Sequence, residues 1–351
     1  MTTHCDRIRS HGRIESPTSR RWQVARRLRA TFTVLPLFVA ASACASTDSE
    51  GTPLAETESS AAAPLDSAVD APLPTVAVTY SVLASVVREL VDGVAEVVTI
   101  IPDGVDPHDF EPSARDIETL DTAEFVVANG LHFEAGLDSA LEQLGDSGQP
   151  IFYVIDHVTA RLVDDSHGDE HSHGDDHTGD GHDHGPVDVH VWTSPATLAD
   201  MIEPLAVELG TALGVDLSTS AADLVASLNA LDSEILDIMA AVPDCELITG
   251  HDELGYFADR YGCEVIDTLI PSSTTTAEAS AKQLAEVKAL VVERGAKVIF
   301  TSLGTPRNVA EQLARESGAQ VVELPTHVMG GADSYAGFVR GLATTIAEAL
   351  T

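Results

Sequence analysis

Apolar and polar positions alternate in blocks along the chain. Residues 76–80, 95–101, 125–128 and 151–155 are short runs dominated by β-branched, aromatic and small apolar residues, and they predict strands. Helical spacing follows the first run through Leu90 and recurs around 114–120 and 134–144. Uninterrupted apolar strands separated by helices predict a parallel sheet buried on both faces, so the first half reads as a four-stranded α/β lobe. The same rhythm returns later, with strands near 246–249, 264–266, 297–301 and 320–324 and helices around 254–261, 277–293, 307–316 and 334–350. Between the halves, 195–213 is helical, and 220–242 places Leu224, Leu228, Leu231, Ile235 and Ile238 three and four apart with no Gly or Pro inside. A helix of about 23 residues spans about 35 Å, enough to run the height of a two-lobed molecule.

Two stretches break this rhythm. Within residues 164–185, His167, His171, His173, His177, His182 and His184 alternate with Asp, Gly and Ser. Nothing there builds a core, so the stretch predicts a water-exposed loop whose imidazoles and carboxylates suit divalent transition ions. It runs into Val187-Asp188-Val189-His190-Val191-Trp192, where apolar residues return around one histidine. That change of texture suggests a collector beside a structured site.

The other break is the N-terminus. Arg20, Arg21, Arg26, Arg27 and Arg29 precede an apolar run of about fourteen residues, too short to span a bilayer and suited to a signal-peptide core. The residues before Arg20 exceed what such a signal needs, as an upstream start codon would give. The run ends in Ala41-Ser42-Ala43-Cys44, which resembles a lipobox with Cys44 as the lipidated residue. Ala41 stands where Leu or Val is usual, and ordinary cleavage near Ala43 is the alternative. Residues 45–74 are Ser, Thr, Ala, Pro and acids without periodicity, a tether. The expected organisation is a signal peptide (1–43), a lipid-anchored disordered tether (44–74), an N-terminal lobe (75–218, with the loop at 164–185), a linking helix (219–242) and a C-terminal lobe (243–351).

The chain carries a formal charge of −37, and with eight arginines and two acids before Cys44 the remainder has 11 basic against 54 acidic residues. Such a surface repels nucleic acid and anionic headgroups and concentrates cations. It argues against nucleic-acid binding and leaves the lipid anchor as the membrane contact. Past the leader and Cys44, the remaining cysteines are Cys245 and Cys263. In an exported protein they favour a disulfide over two buried thiols, and both open successive strands, which a parallel sheet sets at the same edge.

In an open α/β sheet, ligands gather beyond the carboxyl ends of strands. His108 follows the second strand, His190 follows the loop after the fourth and His251 lies just past the fifth, which places a site between the lobes. His132 and His157 lack such support and read as surface or packing residues.

At these residues a family resemblance emerges, covering about Leu73 to the C-terminus. The stretch 106–113 resembles the P-H-x-F-E-P element of the cluster A-I solute-binding proteins of zinc and manganese ABC importers. The stretch 188–195 resembles their D-P-H-x-W-x-x-P element, with Val189 for proline, and 251–262 resembles their H-D-x-x-x-Y-x-x-x-x-Y-G element. The resemblance implies two lobes, each with a four-stranded parallel sheet flanked by helices, joined by one long rigid helix, with His108, His190 and His251 as metal ligands. Relatives place an Asp after the last strand of the second lobe, where this chain has Pro325. His327, Glu323 and a water are the candidates for the fourth ligand.

Three neutral imidazoles suit Zn²⁺, at about 2.0–2.1 Å and tetrahedral, better than Mn²⁺, which prefers carboxylates. Protonation of the imidazoles is expected to weaken binding below about pH 6.5. Asp109 and Asp252, each next to a ligand, are candidates to orient it or to cap a helix. An open position on a three-histidine site also suits hydrolysis, but the sequence has no H-E-x-x-H, no nucleophile elbow and no paired carboxylates placed to act on a bound water, with Glu253 the nearest base. The expectation is a monomeric, non-enzymatic, extracytoplasmic zinc-binding protein, on the outer face of the membrane or in the periplasm, serving a separate ABC permease and ATPase. A manganese-binding homologue and a zinc-dependent surface adhesin are the alternatives.

Overall fold

The structure, a computed structural model, describes residues 72–163, 187–270, 274–276 and 279–351. The arginine-rich leader, Cys44, nearly all of the tether and the stretch holding His167, His171, His173, His177, His182 and His184 lie outside the described residues.

The first sheet holds β1 (Thr75–Tyr80), β2 (Glu96–Ile101), β3 (Phe125–Ala128) and β4 (Ile151–Tyr153), all parallel, in the order β2-β1-β3-β4. The inner strands β1 and β3 are the most continuously apolar, and they are the ones buried on both faces. Helix α1 (Ser81–Leu90) follows β1 directly and turns Val82, Leu83, Val86, Val87 and Leu90 into the core. Helix α2 (Ala114–Thr122) starts from a reciprocal cap between Ser113 and Asp116. The predicted helix at 134–144 begins only at α3 (Asp138–Ser147), after a 3-10 turn at Ala135–Leu137. The fourth strand stops at Tyr153, where Val154–His157 form another such turn.

Helix α4 (Pro195–Leu213) is launched by Ser194, whose hydroxyl accepts from Thr197 N–H, with proline at its first position. Helix α5 (Ser218–Met239) is 22 residues long, or about 33 Å. It ends four residues before Pro243, a residue that disfavours helix ahead of it. Leu224, Leu228, Leu231 and Ile235 form its buried stripe, as the spacing predicts. Asp232 joins that stripe because Arg260 and the Tyr261 hydroxyl, at 3.1 Å, bond its carboxylate. The helix packs against α1 and α4, and also against α6 (Gly255–Tyr261) and α9 (Tyr335–Leu350), so it ties the lobes together within one compact unit.

The second lobe contributes β5 (Cys245–Thr249), β6 (Cys263–Thr268), β7 (Val298–Thr301) and β8 (Gln320–Glu323). Its four parallel strands, expected in one sheet, form two ladders, β5-β6 and β7-β8, with β5 lying beside β7. The β5-β6 register slips between Leu247 and Ile248, just before β5 reaches the site. Helices α7 (Ala281–Arg294) and α8 (Arg307–Ser317) bury Val287, Val291, Leu313 and Ala314 against Ile248, Ile266 and Ile299. Helix α7 starts at a Ser280 cap rather than at 277. Cys245 and Cys263 stand opposite each other in register and form a disulfide, which removes the free-thiol alternative. Among the described residues no helix is long and apolar enough to cross a membrane.

Candidate metal centre

Four histidines project from the carboxyl-terminal side of the strands. His108 sits in a 3-10 turn, Pro107–Asp109, beyond β2, and Asp106 Oδ1 fixes that turn by accepting His108 N–H at 3.0 Å. His190 immediately precedes the turn Val191–Thr193. His251 follows β5 through Gly250, where a methyl group would overlap the Thr305 side chain, so glycine is required for the close approach. His327 lies four residues beyond β8. Trp192 Nε1 sets its approach by donating to Thr326 O at 2.7 Å across the interface between the lobes. Two imidazoles therefore come from each lobe.

The four rings surround one point. One ligand nitrogen from each lies within 4.8 Å of the others, and all four residues are buried. The six distances between ring centroids are 5.5, 5.5, 5.2, 5.2, 5.4 and 5.0 Å. Four points with nearly equal separations define a near-regular tetrahedron. Zinc–nitrogen bonds of about 2.0–2.1 Å in tetrahedral geometry place neighbouring nitrogens about 3.3–3.4 Å apart and ring centroids about 5.2 Å apart. His108 Nε2 and His190 Nε2 are 3.4 Å apart. Both ring nitrogens of His251 and Nε2 of His327 are buried without a hydrogen-bond partner. Orphaned buried polar atoms cost about 1–3 kcal/mol each, and a divalent ion at the common point would satisfy the ones turned toward it.

Carboxylates stand behind the rings. Asp188 is wholly buried; its Oδ1 accepts His190 N–H at 2.9 Å and lies 2.8 Å from His190 Nδ1. This assigns the ring proton to Nδ1 and frees Nε2 for the centre. Glu253 Oε2 lies 3.6 Å from His251 Nδ1 and 3.5 Å from His327 Nδ1 and accepts the Thr326 hydroxyl at 2.5 Å. Burial raises the Glu253 carboxyl to about 7, outweighing the hydrogen bonds from Thr326 and Ser302. Burial, reinforced by the neighbouring rings, lowers His108 to about 3 and His251 and His327 well below the usual imidazole range. Burial therefore favours the neutral, metal-binding form of these three rings.

The structure brings His108, His190 and His251 together and adds His327 as a fourth imidazole beside them. Glu323 is exposed and faces Arg307 at 3.7 Å, outside the site. Asp109 and Asp252 are the acids the sequence offers either to orient a ligand or to cap a helix, and Asp252 is half-buried. Asp109 is exposed, and the carboxylates at work are Asp106, Asp188 and Glu253. Each lies two residues from a ligand histidine, a spacing readable in the sequence. Neighbouring side chains point apart, whereas residues two apart can share a side. His132 is exposed and bonded to Asp138, and His157 stacks on Phe152 at 4.2 Å, as expected for residues outside the site.

Comparison with known proteins gives the chain's relatives. The profile of the ZnuA family, described as zinc-uptake complex component A, periplasmic, matches residues 76–349. The high-affinity zinc uptake system protein ZnuA of Bacillus subtilis is 27% identical over 254 residues, 72% of this chain and 77% of that protein. ZnuA of Yersinia pestis is 25% identical over 283 residues, 76% of this chain and 88% of its own length. The structure of the periplasmic zinc-binding protein TroA of Treponema pallidum superposes with a TM-score of 0.67 at 24% identity, covering 80% of this chain and 99% of that one, and has the same fold.

Proposed function

Because the chain belongs to the ZnuA family of periplasmic zinc-uptake components, we propose that it captures Zn²⁺ between its lobes and hands it to an ABC permease for import. The observation that carries this reading is the near-regular tetrahedron of four buried imidazoles, His108, His190, His251 and His327. An all-nitrogen tetrahedral donor set matches Zn²⁺, while Mn²⁺ favours oxygen ligands and higher coordination. With four protein donors, a bound ion has no open position for a reacting water, which supports a carrier rather than a hydrolase. The centre is reached from strand ends of both lobes, so the ion is enclosed as the lobes stand together.

In this proposal the 1–43 leader exports the chain, Cys44 anchors it to the outer face of the membrane, and His167, His171, His173, His177, His182 and His184 gather ions near the cleft. The strongly acidic charge of the chain favours cation encounter. The ion is held as cargo, and its release requires the two pairs of imidazoles to separate.

The test is a zinc titration in competition with a chelator, with elemental analysis of protein purified without added metal. One tight zinc site per chain, absent in His190→Ala, supports the proposal; tight manganese binding in preference to zinc refutes it. Zinc-limited growth of a deletion strain, restored by the wild-type chain and not by His190→Ala, checks the link to uptake.

A further inference from the structure

Arg161 stands where three parts of the molecule meet. It adjoins the stem of the histidine-rich insert, where Leu162 pairs with Val187 in an isolated antiparallel bridge and Arg161 O accepts Asp188 N–H at 2.8 Å. Its guanidinium turns back toward the metal centre. Nη1 donates to Asp188 Oδ2 at 3.4 Å, and Nε donates to Asp259 Oδ2 at 2.9 Å. Its backbone N–H donates to the Tyr256 hydroxyl at 2.9 Å. Tyr256 and Asp259 both belong to α6, in the second lobe. The approach depends on α6 itself: a methyl group on Gly255 would overlap both the guanidinium and Asp188 Oδ2.

The Asp188 carboxylate has its two oxygens divided. Oδ1 holds His190 through both backbone and ring, and Oδ2 faces Arg161. A wholly buried carboxylate left with one free oxygen is costly, and without the guanidinium it would rotate to find another donor, taking the His190 ring with it. The pair with Asp259, which is 66% exposed, contributes little as an ion pair. Its value is geometric, because it fixes the guanidinium to the opposite lobe.

We propose that Arg161 is a positioning residue for metal capture, which ties the orientation of His190 in the first lobe to the presence of α6 from the second. His190 is then held in its binding orientation only while the lobes stand together, and capture and closure become one event. This inference rests on the zinc-capture reading above.

The full chain carrying Arg161→Gln, Arg161→Lys or Asp259→Asn provides the test, with zinc affinity, zinc release into a chelator and the visible spectrum of the Co²⁺-loaded protein as readouts. Arg161→Gln is expected to weaken zinc binding about 10–100-fold, chiefly through faster release, and to alter the Co²⁺ spectrum because His190 meets the ion at a changed angle. Arg161→Lys, which reaches one carboxylate at a time, falls between. Asp259→Asn, which weakens the guanidinium's own tie to α6 and leaves the backbone bond to Tyr256, is expected to speed release about two- to fivefold and keep the wild-type spectrum. If Arg161→Gln lowers the melting temperature of the metal-free protein but leaves affinity, release and spectrum unchanged, the residue is structural and the inference is overturned. Should that variant fail to fold, an unchanged release rate in Asp259→Asn overturns it. Wild-type protein without a tight zinc site would refute the zinc-capture reading itself, a distinguishable result.

Discussion

His327→Ala separates a metal ligand from a packing residue, because only a ligand carries part of the zinc-dependent stability. A four-ligand zinc site at neutral pH is worth about 10–16 kcal/mol, so one ligand of four corresponds to about 2.5–4 kcal/mol, or roughly two to three orders of magnitude in Kd, less whatever a replacement water restores. The same ring carries a cost when no ion is present. Its Nε2 is buried and unpartnered, and it stacks on His251 at 5.0 Å with both rings facing the same centre. Truncation relieves about 1–3 kcal/mol of uncompensated burial and loses packing of similar size, so the metal-free variant is expected to melt within a few degrees of wild type. The zinc-dependent part of stability, measured as the difference between loaded and metal-free protein at one free zinc concentration in excess, cancels the packing loss. It is expected to fall by about 2.5–4 kcal/mol. Chemical denaturation with and without zinc measures both numbers. A variant with the full wild-type zinc increment and a strongly destabilised metal-free state would show that His327 packs the interface without binding, and the four-imidazole reasoning would fail.

Other outcomes follow from the same structure. Asp188→Asn keeps the shape behind His190 but weakens the acceptor for its ring, and zinc affinity should drop about 10–100-fold in chelator competition. In the metal-free protein, the folded state refuses protons at His108, His251 and His327 that the unfolded chain accepts below about pH 6.5, which costs stability as pH falls. Glu253, raised to about 7, works in the opposite direction by taking up a proton on folding. Asp106, Glu134 and Asp252, whose carboxyls burial also raises, act in the same sense as Glu253, so the three rings set the sign near pH 6 and urea midpoints should fall as the pH is lowered from 7 to 6; a rising profile would contradict the buried neutral rings. Replacing Cys245 and Cys263 by serine opens a link between residues 18 apart and should cost about 3 kcal/mol of stability with zinc affinity unchanged. Deleting residues 164–185 and joining the stem should leave one tight zinc site and remove only weaker ones, as calorimetry against His190→Ala would show.

Much of this was legible from residue pattern because the strands carry their burial in their composition. Runs such as Phe125–Ala128 are apolar throughout, and the ends of such strands pointed to His108, His190 and His251. His327 was not decidable from the chain. Its position depends on Trp192 donating to Thr326 O and on Thr326 binding Glu253, contacts between residues 134 and 73 positions apart. Asp109 and Asp252 adjoin ligand histidines along the chain, whereas the turn at His190 brings Asp188, two residues away, back onto the ring, a contact that the chain order does not display. The division of the second lobe into two ladders left no mark in hydrophobicity, since both arrangements use the same buried strands.

The two-plus-two origin of the imidazoles has a consequence for unloading. On the proposed ligand set, each half of the molecule taken alone offers two imidazoles, and half of a binding energy of about 10–16 kcal/mol corresponds to dissociation constants in the micromolar to millimolar range. Parting the halves by little more than a bond length thus converts a near-irreversible grip into one that any stronger acceptor can strip, without acid, reductant or covalent change. On the proposed function, the permease that receives the ion needs only to pry.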